Sequence, residues 1–306
     1  MTSMETALIA VRVGQYLGSA VLFGGALLFV RQPTSTFGTL GRRLLLTAAI
    51  LLTLSTLAAL FVQAANMAGE NSPLAKPSMA GMVLTSTGFG YAVGVRVVAT
   101  VLAVAALAIP GCRSALSIVS GLGAVATASL AWGGHGMADD GWKGIVHLGG
   151  DIVHLLAANA WIGALAALLT MAIATGRPAT PAKIESLHAA LEGFAGFGTL
   201  AVALLVGTGL VNGWFLVGPA RIDSLTSTRY GELLLAKLAV FVAMLGLAAL
   251  NRWRLTPALG VAARAHGNVG NPVAQVRRSI VIETAFAVTV VLLVSWLGTL
   301  SPPNAG

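Results

Sequence analysis

Two histidines and an aspartate, His147, Asp151 and His154, stand four and three residues apart in the stretch HLGGDIVHLLAANAWIG, residues 147–163. In a helix the positions i, i+4 and i+7 share one face, so the three side chains form a single polar stripe that Trp161 continues seven residues on. Imidazoles with a carboxylate between them are the chemistry of a metal site. Imidazole nitrogen suits copper, and a carboxylate offsets part of the cation's charge in apolar surroundings. The preceding segment AWGGHGMADDGW adds His135 and Met137, and the earlier segment NMAGENSPLAKPSMAGM carries Met67, Met79 and Met82. Thioethers favour Cu(I), and Met79 and Met82 are one helical turn apart; Asn66 and Glu70 add nearby oxygens. The residues also admit a plainer reading. Asp151 and His154 would then hydrogen-bond neighbouring helices, or Asp151 would orient an imidazole without touching a metal, and the methionines would pack at the membrane interface.

The elements that carry these residues follow from composition. Of the 306 residues, 57% are hydrophobic and 9% charged, against about 25% charged in soluble domains, so the chain is a polytopic membrane protein. Thirty-seven glycines fit close packing of transmembrane helices. The net charge of +8 is spread over short segments between apolar runs and forms no patch for nucleic acid. A single cysteine, Cys112, excludes a disulfide framework and a cysteine-rich metal site.

Eight stretches reach the roughly 20 residues that a spanning helix needs. They lie at about 6–30, 43–66, 88–109, 114–133, 149–174, 194–217, 232–250 and 279–300. None alternates with period two, so the expected fold is an all-α bundle of about eight transmembrane helices, a single domain over residues 1–306. No basic cluster precedes the first run, which reads as a retained helix and not as a signal peptide. Eleven Lys and Arg fall on one side (Arg31, Arg42, Arg43, Arg113, Arg177, Lys183, Arg252, Arg254, Arg264, Arg277 and Arg278) and four on the other (Lys76, Lys143, Arg221 and Arg229). The richer side is expected in the cytoplasm, which puts both termini and the segments 67–87, 134–148 and 218–231 on the periplasmic side.

Arg12, Arg96, Lys237 and Glu283 lie within apolar spans near their ends, where snorkelling or interhelical pairing is expected. Lys237 and Glu283 have opposite sign on the last two spans, at different depths. The segments 175–192 and 251–278 read as cytoplasmic loops with solvated His188 and His266. Neither holds a phosphate-cradling glycine motif or a phosphorylation motif, so the reading is of a passive copper protein and not an ATP-driven pump or another enzyme.

Several separated motifs, HGMADDGWKGIVHLGGDIVHLLAANAWIGAL, GLVNGWFLVG, YGELLLAKLAVF, LNRWRLTPAL and RRSIVIETAFAVTVVLLVSWLGTL, resemble the CopD copper-resistance family of bacterial inner-membrane proteins. The resemblance runs over most of residues 85–302, with the amino-terminal third similar in character only. It implies an eight-helix protein of the bacterial inner membrane that acts with a separate periplasmic CopC-like copper-binding partner and takes copper ion, Cu(I) or Cu(II), toward the cytoplasm. The family's GH and DxxHLLAxxxWxG elements fall on His135, Asp151, His154, Trp161 and Gly163. The expected site is His135, His147 and His154 as entry ligands with Asp151 as charge partner. Met67, Met79, Met82 and Met137 would form a soft outer funnel, with Trp161 and Gly163 as packing elements. Two other functions stay open at this point. One is a membrane b-type cytochrome, in which His154 and His135 would clamp a haem. The other is a chaperone that holds copper without moving it.

Overall fold

The computed structural model describes residues 2–304, apart from 33, 71, 73, 75, 110–112, 135–140, 177–179 and 265–269. The described residues form helices and no strands, and eight helices are long and apolar enough to span a membrane. In chain order they are α1 (Ser3–Val30), α2 (Phe37–Met67), α4 (Gly88–Leu107), α5 (Ser114–Gly133), α6 (Gly141–Ala174), α7 (Pro181–Leu216), α8 (Arg229–Arg264) and α9 (Asn271–Leu297). A short helix, α3 (Pro77–Ser86), precedes α4.

All eight expected spans are present, but four run well past their apolar cores. α6 starts at Gly141, α7 at Pro181 and α9 at Asn271, and α8 continues to Arg264, so most of the expected loops 175–192 and 251–278 is helical. Hydropathy marks only the stretch that needs lipid. Beyond it Ala, Leu, Glu and Lys are strong helix formers, and Pro181 suits the first turn of α7. His188 is accordingly not a solvated loop residue. It packs against Gly260 on the extension of α8 and stands 3.6 Å from Glu192. His266 lies outside the described residues.

α6 is the central helix, packed against α1, α5, α7 and α9. Its closest neighbour is α1, whose helix widens into one π-turn at Val21–Gly25. A Cβ on Gly163 would overlap the Ala20 carbonyl oxygen and sit 2.6 Å from the Gly25 nitrogen, and a Cβ on Gly24 would press on the Asn159 and Ala160 carbonyls. Glycines on both helices therefore let the backbones touch. Beside this crossing, Asn159 Nδ2 donates to Ser19 Oγ at 2.9 Å and to Thr127 Oγ1 at 3.2 Å, tying α6 to α1 and α5. In lipid such hydrogen bonds and close contacts replace the hydrophobic effect as the force between helices.

The core around Leu22, Leu45, Leu52, Leu168, Leu187 and Ile280 fills the space where α1, α2, α6, α7 and α9 meet. By contrast only 11% and 6% of the most apolar windows of α7 and α8 are buried, so these two helices stand at the lipid-facing edge. Exposed Leu210, Trp214 and Val242 are their lipid-facing side chains.

Gly163→Ala is expected to destabilise the fold by about 1–3 kcal/mol, because a methyl there meets backbone and cannot be relieved by a rotamer change. Gly207→Ala, with open space at the same position on α7, should leave the melting temperature in detergent near wild type. Equal melting of the two variants would contradict the close crossing.

Candidate copper-handling site

The stripe His147, Asp151 and His154 faces protein and not lipid. α7 runs antiparallel to α6 and presents a matching stripe, Thr208, Asn212 and Phe215, again at i, i+4 and i+7. The register pairs His154 with Thr208, Asp151 with Asn212 and His147 with Phe215. His147 is not near the surface as its place before the apolar run suggests. It is 2% exposed, with its ring stacked on Phe215 at 4.7 Å between centroids and 5° between planes. The early start of α6 at Gly141 sets it nearly two turns into the helix.

His154 is held in one orientation. Its Nδ1 lies 2.9 Å from Thr208 Oγ1, and that hydroxyl gives its single hydrogen to the Leu204 carbonyl at 2.6 Å. The hydroxyl therefore accepts from the imidazole, and Nδ1 carries the hydrogen. In the neutral ring this leaves the Nε2 lone pair available to a ligand. A ligand imidazole whose other nitrogen is anchored by a hydrogen bond is the arrangement that orients metal-binding histidines.

Asp151 lies beside Asn212 and within electrostatic reach of His147 and Lys237. Lys237, on α8, also faces His154. Lys237 thus belongs with Asp151, and Glu283 is held elsewhere: the two do not pair. A Cβ on Gly134, at the end of α5, would lie 3.5 Å from Asp151 Oδ2, so the carboxylate borders the start of the segment that carries His135 and Met137. Those two residues lie outside the described ones. Tyr16 of α1 extends the polar region, within electrostatic reach of Arg12, Arg96 and Asp151.

Arg96 does not snorkel. It is 1% exposed, with Nε donating to Ser129 Oγ at 3.0 Å and Nη2 to the Ser129 carbonyl at 2.9 Å. Ser129 opens the 3₁₀ turn that ends α5, where backbone carbonyls leave the α-helical ladder and can accept a guanidinium. Arg12 packs its guanidinium against Gly298, just past α9, which puts the two ends of the bundle's chain at the same side.

The methionines do not gather. Met79, on α3, packs with Met4 against the cluster of Leu60, Ala64, Val83 and Val93, whereas Met67 and Met82 are 58% and 59% exposed. Among the described residues no three His, Cys, Asp or Glu side chains converge as a metal ion would require. The donors present, one free imidazole nitrogen and one carboxylate, suit copper in kind but are fewer than a closed site needs. The face opposite His154 carries Thr208 and not a second histidine, so the described residues offer no axial pair for haem.

A second polar centre lies at the opposite half of the bundle. Glu283 of α9, 1% exposed, accepts from Trp161 Nε1 at 3.3 Å on Oε1 and from Asn251 Nδ2 at 2.9 Å on Oε2. Trp161, expected as packing, therefore also holds a carboxylate. Sequence spacing on one helix cannot reveal such a contact between α6, α8 and α9. The Thr208–Asn212–Phe215 stripe, however, repeats the spacing of the histidine stripe and was readable.

A polytopic helical bundle with an anchored imidazole, a carboxylate and a lysine in one buried region defines a multi-pass membrane protein with an ionisable centre between its helices. Two family models match the chain: copper resistance protein D-like, N-terminal domain, over residues 1–145, and copper resistance protein D over residues 188–297. The chain is 36% identical to copper resistance protein D of Pseudomonas syringae pv. tomato over 303 residues, 96% of each chain. It is also 35% identical over 101 residues to copper transport protein CutJ of Bacillus subtilis (strain 168), which covers 33% of this chain and 18% of that protein. No solved structure matches significantly. The chain belongs to the copper resistance protein D family. The amino-terminal third, similar in character alone by its motifs, matches the family at the level of its own domain model. The histidine stripe on α6 lies between the two matched segments and inside the full-length similarity.

In copper-free protein, nitrogen-15 NMR of His154 is expected to show the Nδ1–H tautomer, giving way to a tautomer mixture in Thr208→Val. An Nε2–H ring in the wild type would remove the proposed donor.

Proposed function

We propose that the chain binds copper at the outer ends of α5, α6 and α7 and passes it across the inner membrane toward the cytoplasm. The observation that carries this reading is the anchored His154, held by Nδ1 and within electrostatic reach of Lys237, which also reaches Asp151. His154 and Asp151 are the primary donors, with His135, His147 and Met137 completing the set. Met67, Met79 and Met82 serve delivery from the periplasmic side, and a separate CopC-like protein is the donor that fits this arrangement.

Lys237 gives the site a means of release. In the empty state its ammonium answers the Asp151 charge; an arriving cation takes that place and repels the ammonium. Departure of the cation restores the original pair. A buried carboxylate is then never left without a countercharge, which is the costly state in low dielectric. Movement of one positive charge inward along an inside-negative potential gains about 2.3 kcal/mol per 100 mV, so no nucleotide is needed.

Three variants test the assignment by metal analysis of purified protein. His154→Ala should abolish most copper binding. Thr208→Val, which only frees the ring, should weaken it by roughly 10–100-fold. Lys237→Met should hold copper more tightly while slowing its delivery into liposomes, because the group that displaces it is gone. Wild-type affinity in both His154→Ala and Thr208→Val would rule out this site. A protein that binds copper but leaves the liposome interior unchanged is a chaperone and not a transporter.

A further inference from the structure

Glu283 is not used by the reading above. It lies at the other half of the bundle, where α6, α7, α8 and α9 line a partly open cavity of about 250 Å³. Trp161, Phe194, Thr199, Asn251, Arg252 and Glu283 are among its lining residues. α8 is deformed here: Asn251–Leu255 form a π-turn, directly ahead of Pro257, which has no N–H to give the Trp253 carbonyl. The wide turn brings Asn251 to Glu283 and turns Arg252 toward α7. The Arg252 guanidinium donates to the Ala195 carbonyl at 3.0 Å and to Thr199 Oγ1.

The charge balance at this site is unusual. Both carboxylate oxygens of Glu283 accept from neutral donors, the Trp161 indole and the Asn251 amide. Among the residues lining the cavity, Arg252 is the one charged group besides Glu283, and its hydrogen bonds go to α7. α6 contributes Trp161 and α7 contributes Phe194 and Thr199, none of them titratable in the ordinary range. A carboxylate in such a place is balanced by an exchangeable cation, and the smallest is a proton.

Asn251 is suited to both protonation states. Its Nδ2 donates to the ionised carboxylate, while its Oδ1 is buried without a hydrogen-bond partner among the described residues. Half a turn of the amide exchanges the two atoms, and Oδ1 then accepts from the O–H of the protonated acid. The orphaned oxygen is thus the acceptor that the second state requires. We propose that Glu283 is a reversible proton-binding site, loaded and unloaded through the α6–α9 cavity and distinct from the copper-handling cluster.

The test uses full-length protein in detergent and dicyclohexylcarbodiimide, an apolar reagent that modifies protonated carboxyls in membrane interiors. Adducts are mapped by mass spectrometry. Labelling of Glu283 should rise several-fold between about pH 8.5 and about pH 5.5, the interval within which buried glutamates exchange protons. Tryptophan emission should change over the same interval and lose that change in both Glu283→Gln and Trp161→Phe, since the indole N–H is bonded to the acid. Copper content of Glu283→Gln should equal that of wild type, so this assignment and the copper reading can fail separately. Absent or pH-independent labelling of Glu283, or an emission change that survives in Glu283→Gln, would overturn the proposal. Loss of copper from Glu283→Gln would overturn the independence of the two sites.

Discussion

The contact between Gly163 and the Ala20 carbonyl governs the rest of the bundle. A membrane offers no hydrophobic drive to bring α1 and α6 together, because lipid solvates leucine as well as another helix does. What remains is dispersion at short range and hydrogen bonding, and both need backbones in contact. Gly24 and Gly163 provide the space, the π-turn at Val21–Gly25 provides the bend, and Asn159 adds bonds to Ser19 and Thr127. With α6 fixed in rotation by this crossing, its histidine face must point to α7 and its Trp161 must meet α9. The polar side chains do not choose their surroundings; the glycines on the same helix choose for them.

Charge is handled differently at the two ends of α6. At one end Asp151 and Lys237 are opposite charges brought into one region by α6 and α8, and Arg96 gives Nε and Nη2 to Ser129. At the other end Glu283 has neutral donors and a cavity beside it. Opposite charges held in one region suit exchange with a cation that arrives whole. A carboxyl with two neutral partners and a nearby cavity suits exchange with a proton, which needs little room and no coordination shell.

The eight spans were legible because hydropathy over 20 residues is a summed signal, tolerant of single exceptions such as Arg96 or Glu283. The ends of α6, α7, α8 and α9 were not, since helix propensity continues where apolarity stops. The one-face argument for His147, Asp151 and His154 held because helical spacing is local. Which helix faces that stripe is a tertiary question, yet the Thr208, Asn212 and Phe215 spacing on α7 carried a readable answer. Glu283 with Trp161 and Asn251 had no such signature: single residues on three helices, joined only by packing. The methionines are a different case. Met79 and Met82 share a spacing of one turn, but α3 lies against the Leu60–Val93 cluster and takes Met79 into it, leaving Met82 outside. Their proximity in sequence says nothing about a common pocket.

From His154 to Trp161 is seven residues, about 10 Å along α6. Along that distance the described side chains facing α7, α8 and α9 are apolar, with Ala157, Leu205, Met244 and Ala287 in one cluster, and the single amide between, Asn159, has given both hydrogens to α1 and α5. No donor in this interval can accept a cation from the first centre and hand it to the second. A cation that crosses must therefore do so in a conformation in which the cluster parts. α1 and α6 cannot open it, because their backbones are in contact. α7 and α8 can: they have the least buried surface of the eight spans, α8 already carries a π-turn at Asn251–Leu255, and together they hold Thr208, Lys237 and Asn251. In the proposed transport, movement of this pair against a fixed α6 would change both polar centres at once, and the lipid-facing edge, not the tightly crossed interior, would be the part that moves.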